Sequence, residues 1–544
     1  MVKKPCTSMI KYTPASERTL ALFDTPFEQE LSSQNRWVKM ADLVPWDEMA
    51  EVFFSCLSSN HGRPTVDLRI ILGALLVKHI EGLSDEDTIG YIEENIYAQY
   101  FVGLSSFSTE PVFVPSLFVE IRKRLGQKGS SQLNDILIKQ ARELKVVKHK
   151  TKGGKKDKPK DPPSARGPEA GNPDGSGVGD KTEGENRGTL LLDATVGPLH
   201  IAYPTDTSLL NEGRRISEQL IDGLYESCGA LWKKKPRTYR RGAQKAFVGF
   251  SKKKNKSKKE IRKATGQQLR YLRRNLKTLD KMLDKLEENG KEVCWTYRQW
   301  RKLWIIQELY RQQEEMYRHR RKRIAERLVS LSQPHARPIK RGKSGGKATE
   351  FGPKINVSMS EGIARVDQID FNAFNEANYL EEQIQGYKRL HGYYPALVLA
   401  DQIYWTRSNR NYLKQRNIQI GGAPLGKPKE MSRYEKYKTR KRNNKRSEIE
   451  GKFGQGKSKY GLDDLFTRLP QTTKAEINLI FLALNLIRIN KFLFGSVCII
   501  LFSAMETVFS TLLQVDQNRR KTEHKNPFNN WAKVEMYPSL SPTF

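Results

Sequence analysis

The chain has 544 residues, with 95 Lys+Arg against 61 Asp+Glu, a formal charge of +34 and a pI near 9.8. That length holds about two to four domains at ~100–200 residues each, and 37% apolar residues with 9% aromatics supply real cores, which excludes wholesale disorder. So large a positive excess excludes an acidic solubility protein and points to a polyanionic partner, nucleic acid ahead of an anionic membrane surface.

Met1-Val-Lys-Lys-Pro5 opens without the apolar run of a signal peptide, and the five cysteines, Cys6, Cys56, Cys228, Cys294 and Cys498, form no C-x-x-C pair. The expectation is a reducing cytoplasm, with neither a zinc module nor a disulfide framework. Residues 1–147 read as a helical domain for DNA binding or dimerisation. Leu68, Ile71, Leu72, Leu75 and Leu76 recur at helical spacing, and Gly82-Leu83-Ser84 reads as the turn to a second helix, Ser84 capping toward Asp87. Residues 148–188, rich in Gly, Pro and charge, read as a flexible basic linker.

Thr189-Leu-Leu-Leu-Asp193 has strand character ending in an acid, and His200-Ile-Ala-Tyr203 reads as its partner strand, so residues 189–230 open an α/β domain. His200 reads as a strand residue and not as a base. Residues 231–340 hold 34 Lys+Arg against 10 Asp+Glu, a local excess of 24. Two amphipathic helices broken at Asn289-Gly290 imply a basic helical-hairpin insertion. Its Trp295, Tyr297, Trp300, Trp304, Tyr310 and Tyr317 suit either a hairpin core or a DNA-gripping face, with salt-sensitive binding in the second case. Residues 341–515 resume the α/β domain with strands at Lys354–Met359 and Gly362–Asp367, a helix from about Asn372 to Arg389, and the apolar strand Pro395–Asp401. A helix Asn409–Gln415, a short strand Ile418–Ile420 and a basic helical stretch follow. Phe492–Met505 is apolar but shorter than the ~20 residues of a spanning helix, so it reads as a buried helix of a protein outside the membrane. Residues 516–544 form a tail.

Asp193 and Asp401 at strand ends, with a helical glutamate among cations, are the one constellation suited to hard cations. Phosphoryl transfer by a two-metal route needs carboxylates from separate elements converging on two Mg²⁺ roughly 3.5–4 Å apart.

The words LLLDATVGPLHIAYPTDTSLLNEGRR, RPIKRGKSGGKATEFGPKINVSMSEGIARVD, YYPALVLADQIYWTRSNRNYL and RSEIEGKFGQGKSKYGL, in this order, resemble the catalytic domain of bacterial insertion-sequence transposases of the DDE type. GRPTVDLRIILGALLVKHIEGLSDEDTIGYIEENIYAQYFVGL is similar to that family's N-terminal domain. The resemblance implies an RNase H-like mixed sheet flanked by helices, with Asp193, Asp401 and Glu450 as catalytic, metal-binding acids for two Mg²⁺ ions, Mn²⁺ substituting. Glu450 is chosen over Glu448 because Arg446, Glu450 and Lys457 match the family's Arg-x3-Glu-x6-Lys signature in register. Asn443 departs from the Tyr expected three residues before the Arg; Tyr437 or Tyr434 is a possible substitute.

Arg446 and Lys457 are then expected to grip phosphates, and Trp405 to stack on an extruded base. Arg337, Arg341 and Lys343 are further DNA-contact candidates. The implied activity is cleavage and strand transfer at terminal inverted repeats, and into target DNA, by a homodimer or higher assembly. The alternatives are a metal-dependent endonuclease without strand transfer, or a non-catalytic DNA-binding regulator derived from a transposase.

Overall fold

In the computed structural model, residues 11–17, 23–25, 30–56, 65–144, 185–228, 231–340, 349–421 and 432–494 are described. The expectations for the 148–184 part of the linker, for Arg341 and Lys343, for residues 495–505 of the apolar stretch and for the C-terminal tail lie outside them. Residues up to Ile487 cluster as one compact unit. A second begins at Arg488 and is described only as the final turns of a helix ending at Phe494.

The N-terminal part is helical: α1 Arg36–Leu43, α2 Trp46–Cys56, α3 Leu68–Glu81, α4 Asp85–Glu94, α5 Ile96–Val102 and α6 Ser116–Glu143. Trp37 and Trp46 both pack on Phe101 of α5, at ring distances of 5.0 and 5.3 Å. The turn between α3 and α4 is the expected one. Gly82 takes φ +71°, which an L side chain rarely adopts, and Ser84 accepts from the Asp87 amide at 3.0 Å.

The α/β part is built on β1 Thr189–Val196, β4 Lys354–Ser360, β5 Ile363–Asp370, β6 Leu397–Ala400 and β7 Gln419–Ile420; β2 Pro338–Lys340 and β3 Thr349–Phe351 form a separate pair. The main sheet is mixed, in the order β5-β4-β1-β6-β7. β4 is antiparallel to β1 and β5, and β6 is parallel to β1 and β7. Alternation along β1 feeds two cores. Leu190 and Leu192 face α11 Leu380–His391 and α12 Arg407–Gln415, while Leu191 faces α13 Arg433–Lys459 and α14 Pro470–Phe494. α14 is long and apolar enough to cross a membrane, but its Ile477, Ile480, Phe481 and Leu484 are buried in the core beside the sheet.

Two strand expectations need correction. β1 does not end at Asp193; Ala194, Thr195 and Val196 continue it, paired to Asn356, Ile355 and Lys354. His200–Tyr203 is no strand, because Leu199 bridges Leu465 and the His200 amide donates to the Leu465 carbonyl at 2.9 Å.

Between β1 and β2 lies a helical bundle: α7 Asp206–Cys228, α8 Arg240–Ser251, α9 Lys258–Glu288 and α10 Tyr297–Arg318. Leucines of α9 at 269, 272, 276, 279 and 286 meet Leu209, Leu210, Leu220, Ile221 and Leu224 of α7 and Leu303, Ile306 and Leu309 of α10. Asn289 and Gly290, at φ +63°, close α9 as expected, whereas α10 stops at Arg318 and does not run on through RHRRKRIAERL. Trp295, Trp300, Tyr310 and Tyr317 pack against this core, and Tyr297 and Trp304 stay exposed.

Candidate active site

Asp193 lies on β1 opposite Val357 and shares a face with Leu191, the face that α13 covers. Its Oδ1 accepts from the Ala194 amide at 2.8 Å. Burial is the largest influence on this carboxyl and lifts it to about 6; Glu376 and Glu450 push the same way, and Arg446 opposes them.

Asp401 follows β6 directly. The parallel register ends at Leu192↔Ala400, so Asp193 and Asp401 are each the next residue along neighbouring chain segments, whose strands run roughly 4.8 Å apart. Asp401 is exposed, and its Oδ1 accepts from the Gln402 amide at 2.7 Å, capping the turn Gln402–Tyr404.

Glu450 is presented by α13, which is anchored through Ile449 and Phe453 in the core and by Lys452 Nζ donating to the Gly362 and Leu484 carbonyls. The Glu450 side chain is exposed and sits 3.4 Å from Arg446. Lys457, two turns on, faces Glu350 of β3 at 3.6 Å. Asn443 is exposed near the middle of the same helix, and Tyr434 and Tyr437 are exposed near its start.

The structure thus brings Asp193 and Asp401 together and sets Glu450 within electrostatic reach of Asp193. Among the described residues, no three acidic, His or Cys side chains already converge as a closed metal cluster. The donor set is nevertheless the chemistry a hard divalent ion takes: carboxylate oxygens, one of them desolvated among other acids.

Two DNA-contact expectations are corrected. Trp405 is 6% exposed and packs with Tyr404, Leu413 and Ile418, so its ring is core and offers no open face to a base. Arg337 turns its Nη1 onto the Pro334 and Ala336 carbonyls, at 2.6 and 3.0 Å, and braces its own loop.

Comparison with known families gives two matches. Residues 25–124 match the model described as "Transposase domain (DUF772)" and residues 398–487 the model "Transposase DDE domain". The two matches support a transposase of the DDE type from insertion sequences. The second match takes in Asp401, Arg446, Glu450 and Lys457 and leaves Asp193 outside. A curated relative, "Uncharacterized protein ORF8 in nfe locus" from Rhizobium meliloti, is 30% identical over 112 residues, 21% of this chain. The chain spans about half of that relative's length, 54%. No solved structure matches it.

Sequence reading missed two residues around Asp193, Glu376 and Tyr404. Glu376, in the turn Glu376–Tyr379, is ion-paired to Lys354 at 2.7 Å. Tyr404 is fully buried and donates to Asn356 Oδ1 at 2.8 Å. Burial first, and then Glu376, Asp193, Asp367 and Asp401, hold that phenol well above its ordinary range, so it acts as a fixed donor. The one sequence signal for it was a polar Asn within the apolar run of β4.

Proposed function

We propose that this chain is a metal-dependent DNA transposase which nicks DNA at the ends of its element and joins the freed 3′-OH to target DNA. The observation that carries the reading is the register Leu192↔Ala400, which makes Asp193 and Asp401 the next residues on neighbouring parallel segments, with Asp193 on the face covered by the helix that presents Glu450. The strand order supports an RNase H-like assignment. Taken in chain order as first to fifth, the strands lie third-second-first-fourth-fifth, with the second antiparallel to both its neighbours, one acid within the first strand and the other directly after the fourth.

Asp193, Asp401 and Glu450 would hold divalent cations, which when bound activate an attacking oxygen and stabilise the leaving one. The protein's own share is positional. β1 and β6 fix two carboxylates at one edge, Ile449 and Phe453 fix the helix carrying the third, and burial of Asp193 keeps its charge costly until a cation neutralises it. Glu450 leaves Arg446 to reach the other acids, and the released guanidinium is then placed to take a phosphate oxygen beside the cut. Lys457 would exchange Glu350 for phosphate in the same way.

The test is incubation with Mg²⁺ or Mn²⁺ and a duplex ending in the repeats that flank the gene, beside Glu450→Gln. Nicks at the repeat boundary, reduced at least ~10³-fold in the variant, are expected. Binding without any metal-dependent product would replace this reading with that of a DNA-binding regulator.

A further inference from the structure

Between Leu231 and Lys259 the chain carries thirteen Lys and Arg residues and no acid. All thirteen are exposed. Six are the lysines at 252, 253, 254, 256, 258 and 259, in the turn from α8 into α9. A second acid-free run, Arg318-His-Arg-Arg-Lys-Arg323, leaves the end of α10, and every residue of it is exposed. About sixty residues of helix separate the two runs along the chain.

Packing brings them together. Arg262, on the first turns of α9, donates to the Tyr317 carbonyl at 3.0 Å and lies 4.2 Å over the Tyr317 ring. Gly266 approaches the same ring so closely that a Cβ there would meet the Tyr317 hydroxyl at 2.5 Å. The start of α9 and the end of α10 are therefore one surface. Lys256 and Ile261 share a cavity of about 320 Å³ with Thr205 and Ser208, which places that surface at the base of the bundle, where the chain arrives from β1. Within Lys252–Lys259 and Arg318–Arg323, Lys253 is paired to Glu260 and Arg318 to Glu314. The other nine cations have no acidic partner among the described residues.

We infer that Lys252–Lys259 and Arg318–Arg323 together form a sequence-blind grip for the phosphate backbone of duplex DNA at the base of the insertion. The choice of DNA as the polyanion rests on the transposase reading. Neither run contains an apolar side chain to sink into a lipid surface, as a membrane-binding segment requires. Reading bases in a groove needs an element projecting hydrogen-bonding forks toward base edges, whereas a lysine turn supplies point charges that suit phosphates of any sequence.

The test measures binding of random-sequence and repeat-bearing duplexes, in EDTA, across a KCl series by fluorescence anisotropy. It compares wild type with K252Q/K254Q/K256Q, with R320Q/R321Q/R323Q, and with both sets combined. Each triple variant should weaken both duplexes equally, by about tenfold or more near 0.15 M salt, and flatten the log–log salt slope by up to about 3. The combined variant should flatten it further, and the melting temperature should stay within a degree or two because all six side chains are exposed. An unchanged salt slope overturns the inference, as does loss confined to the repeat-bearing duplex. So does retained DNA affinity with lost binding to phosphatidylserine vesicles. Since no cutting is required, a wild type that cuts with variants of unchanged slope sinks the grip alone. Variants that lose slope in a protein that never cuts sink the transposase reading alone.

Discussion

A carboxylate held at about 6 is a liability for a fold with no cation beside it. Asp193 is desolvated on the covered face of β1, with Glu376 and Glu450 adding repulsion that Arg446 only partly offsets. The folded state therefore keeps its proton to a higher pH than the unfolded chain does, where the ordinary value is 3.8. Stability in EDTA should fall as pH rises from about 4 to about 6 and stay reduced above that, because the folded state binds more protons in that window. Asp193→Asn removes the charge and keeps the shape. It should raise stability above pH 6 by on the order of 1–2 kcal/mol, be neutral near pH 4, and abolish the upward shift in melting temperature expected of the wild type with Mn²⁺. Thermal melts at pH 4.5 and 7.5, with and without Mn²⁺, check this; equal melting temperatures at pH 7.5 in EDTA would count against it.

At the scale of elements, the pieces legible in the sequence were those whose pattern is local. The leucine repeat of α9, the Gly82–Ser84 turn and the apolar runs of β1 and β6 carry their own periodicity, so each forms much as expected. The failures share one cause, a partner distant in sequence. His200 gives its amide to Leu465, Glu376 finds Lys354, and Trp405 drops into a core shared with Leu190 and Leu192, contacts no window of neighbouring residues foretells. The same holds for the seam between α6, β5 and α14. Asn485 Oδ1 accepts from the Ala364 amide at 2.9 Å, while its Nδ2 donates to the Ala364 carbonyl at 2.6 Å and to Asn134 Oδ1 at 2.9 Å, all buried. Asn485→Ala strands the Ala364 amide of β5 and Asn134 Oδ1 away from water, while the Ala364 carbonyl keeps its bond from Asn134; each buried group left unsatisfied costs about 1–3 kcal/mol. We expect a loss of about 2–4 kcal/mol on this basis, and about half that for Asn134→Ala, where Ala364 keeps its bonds to Asn485. Urea unfolding of the two variants checks the order; Asn134→Ala being the costlier would contradict it.

For the whole molecule, that seam decides how the N-terminal helices relate to the sheet. β5 is the outer strand on its side, and an uncovered edge pairs readily with other chains. α6 lies against it. Asp135 holds Arg365 of β5 at 2.7 Å, Asn134 donates to the Ala364 carbonyl at 3.2 Å, and Arg142 reaches the Leu390 and His391 carbonyls at the end of α11. Arg365 also pairs with buried Asp367 at 2.6 Å, so the ion pair to α6 continues into the interior of the α/β part. A link of this kind is costly to break from one side, because parting α6 from β5 would leave the half-buried Asp135 carboxylate without its partner, Arg365 keeping only Asp367. The Gly-, Pro- and Lys-rich residues 145–184 join the two parts covalently, but on this argument they are dispensable for holding them together. Brief trypsin treatment that cuts within 145–184 should leave two fragments that co-elute in gel filtration at 0.5 M NaCl and separate only in denaturant. Expressed without residues 1–144, the remainder should aggregate through its bared β5 edge. Fragments that part in native buffer, or a soluble monomeric remainder, would show that α6 is a detachable cover and that the N-terminal helices bind or dimerise independently of the sheet.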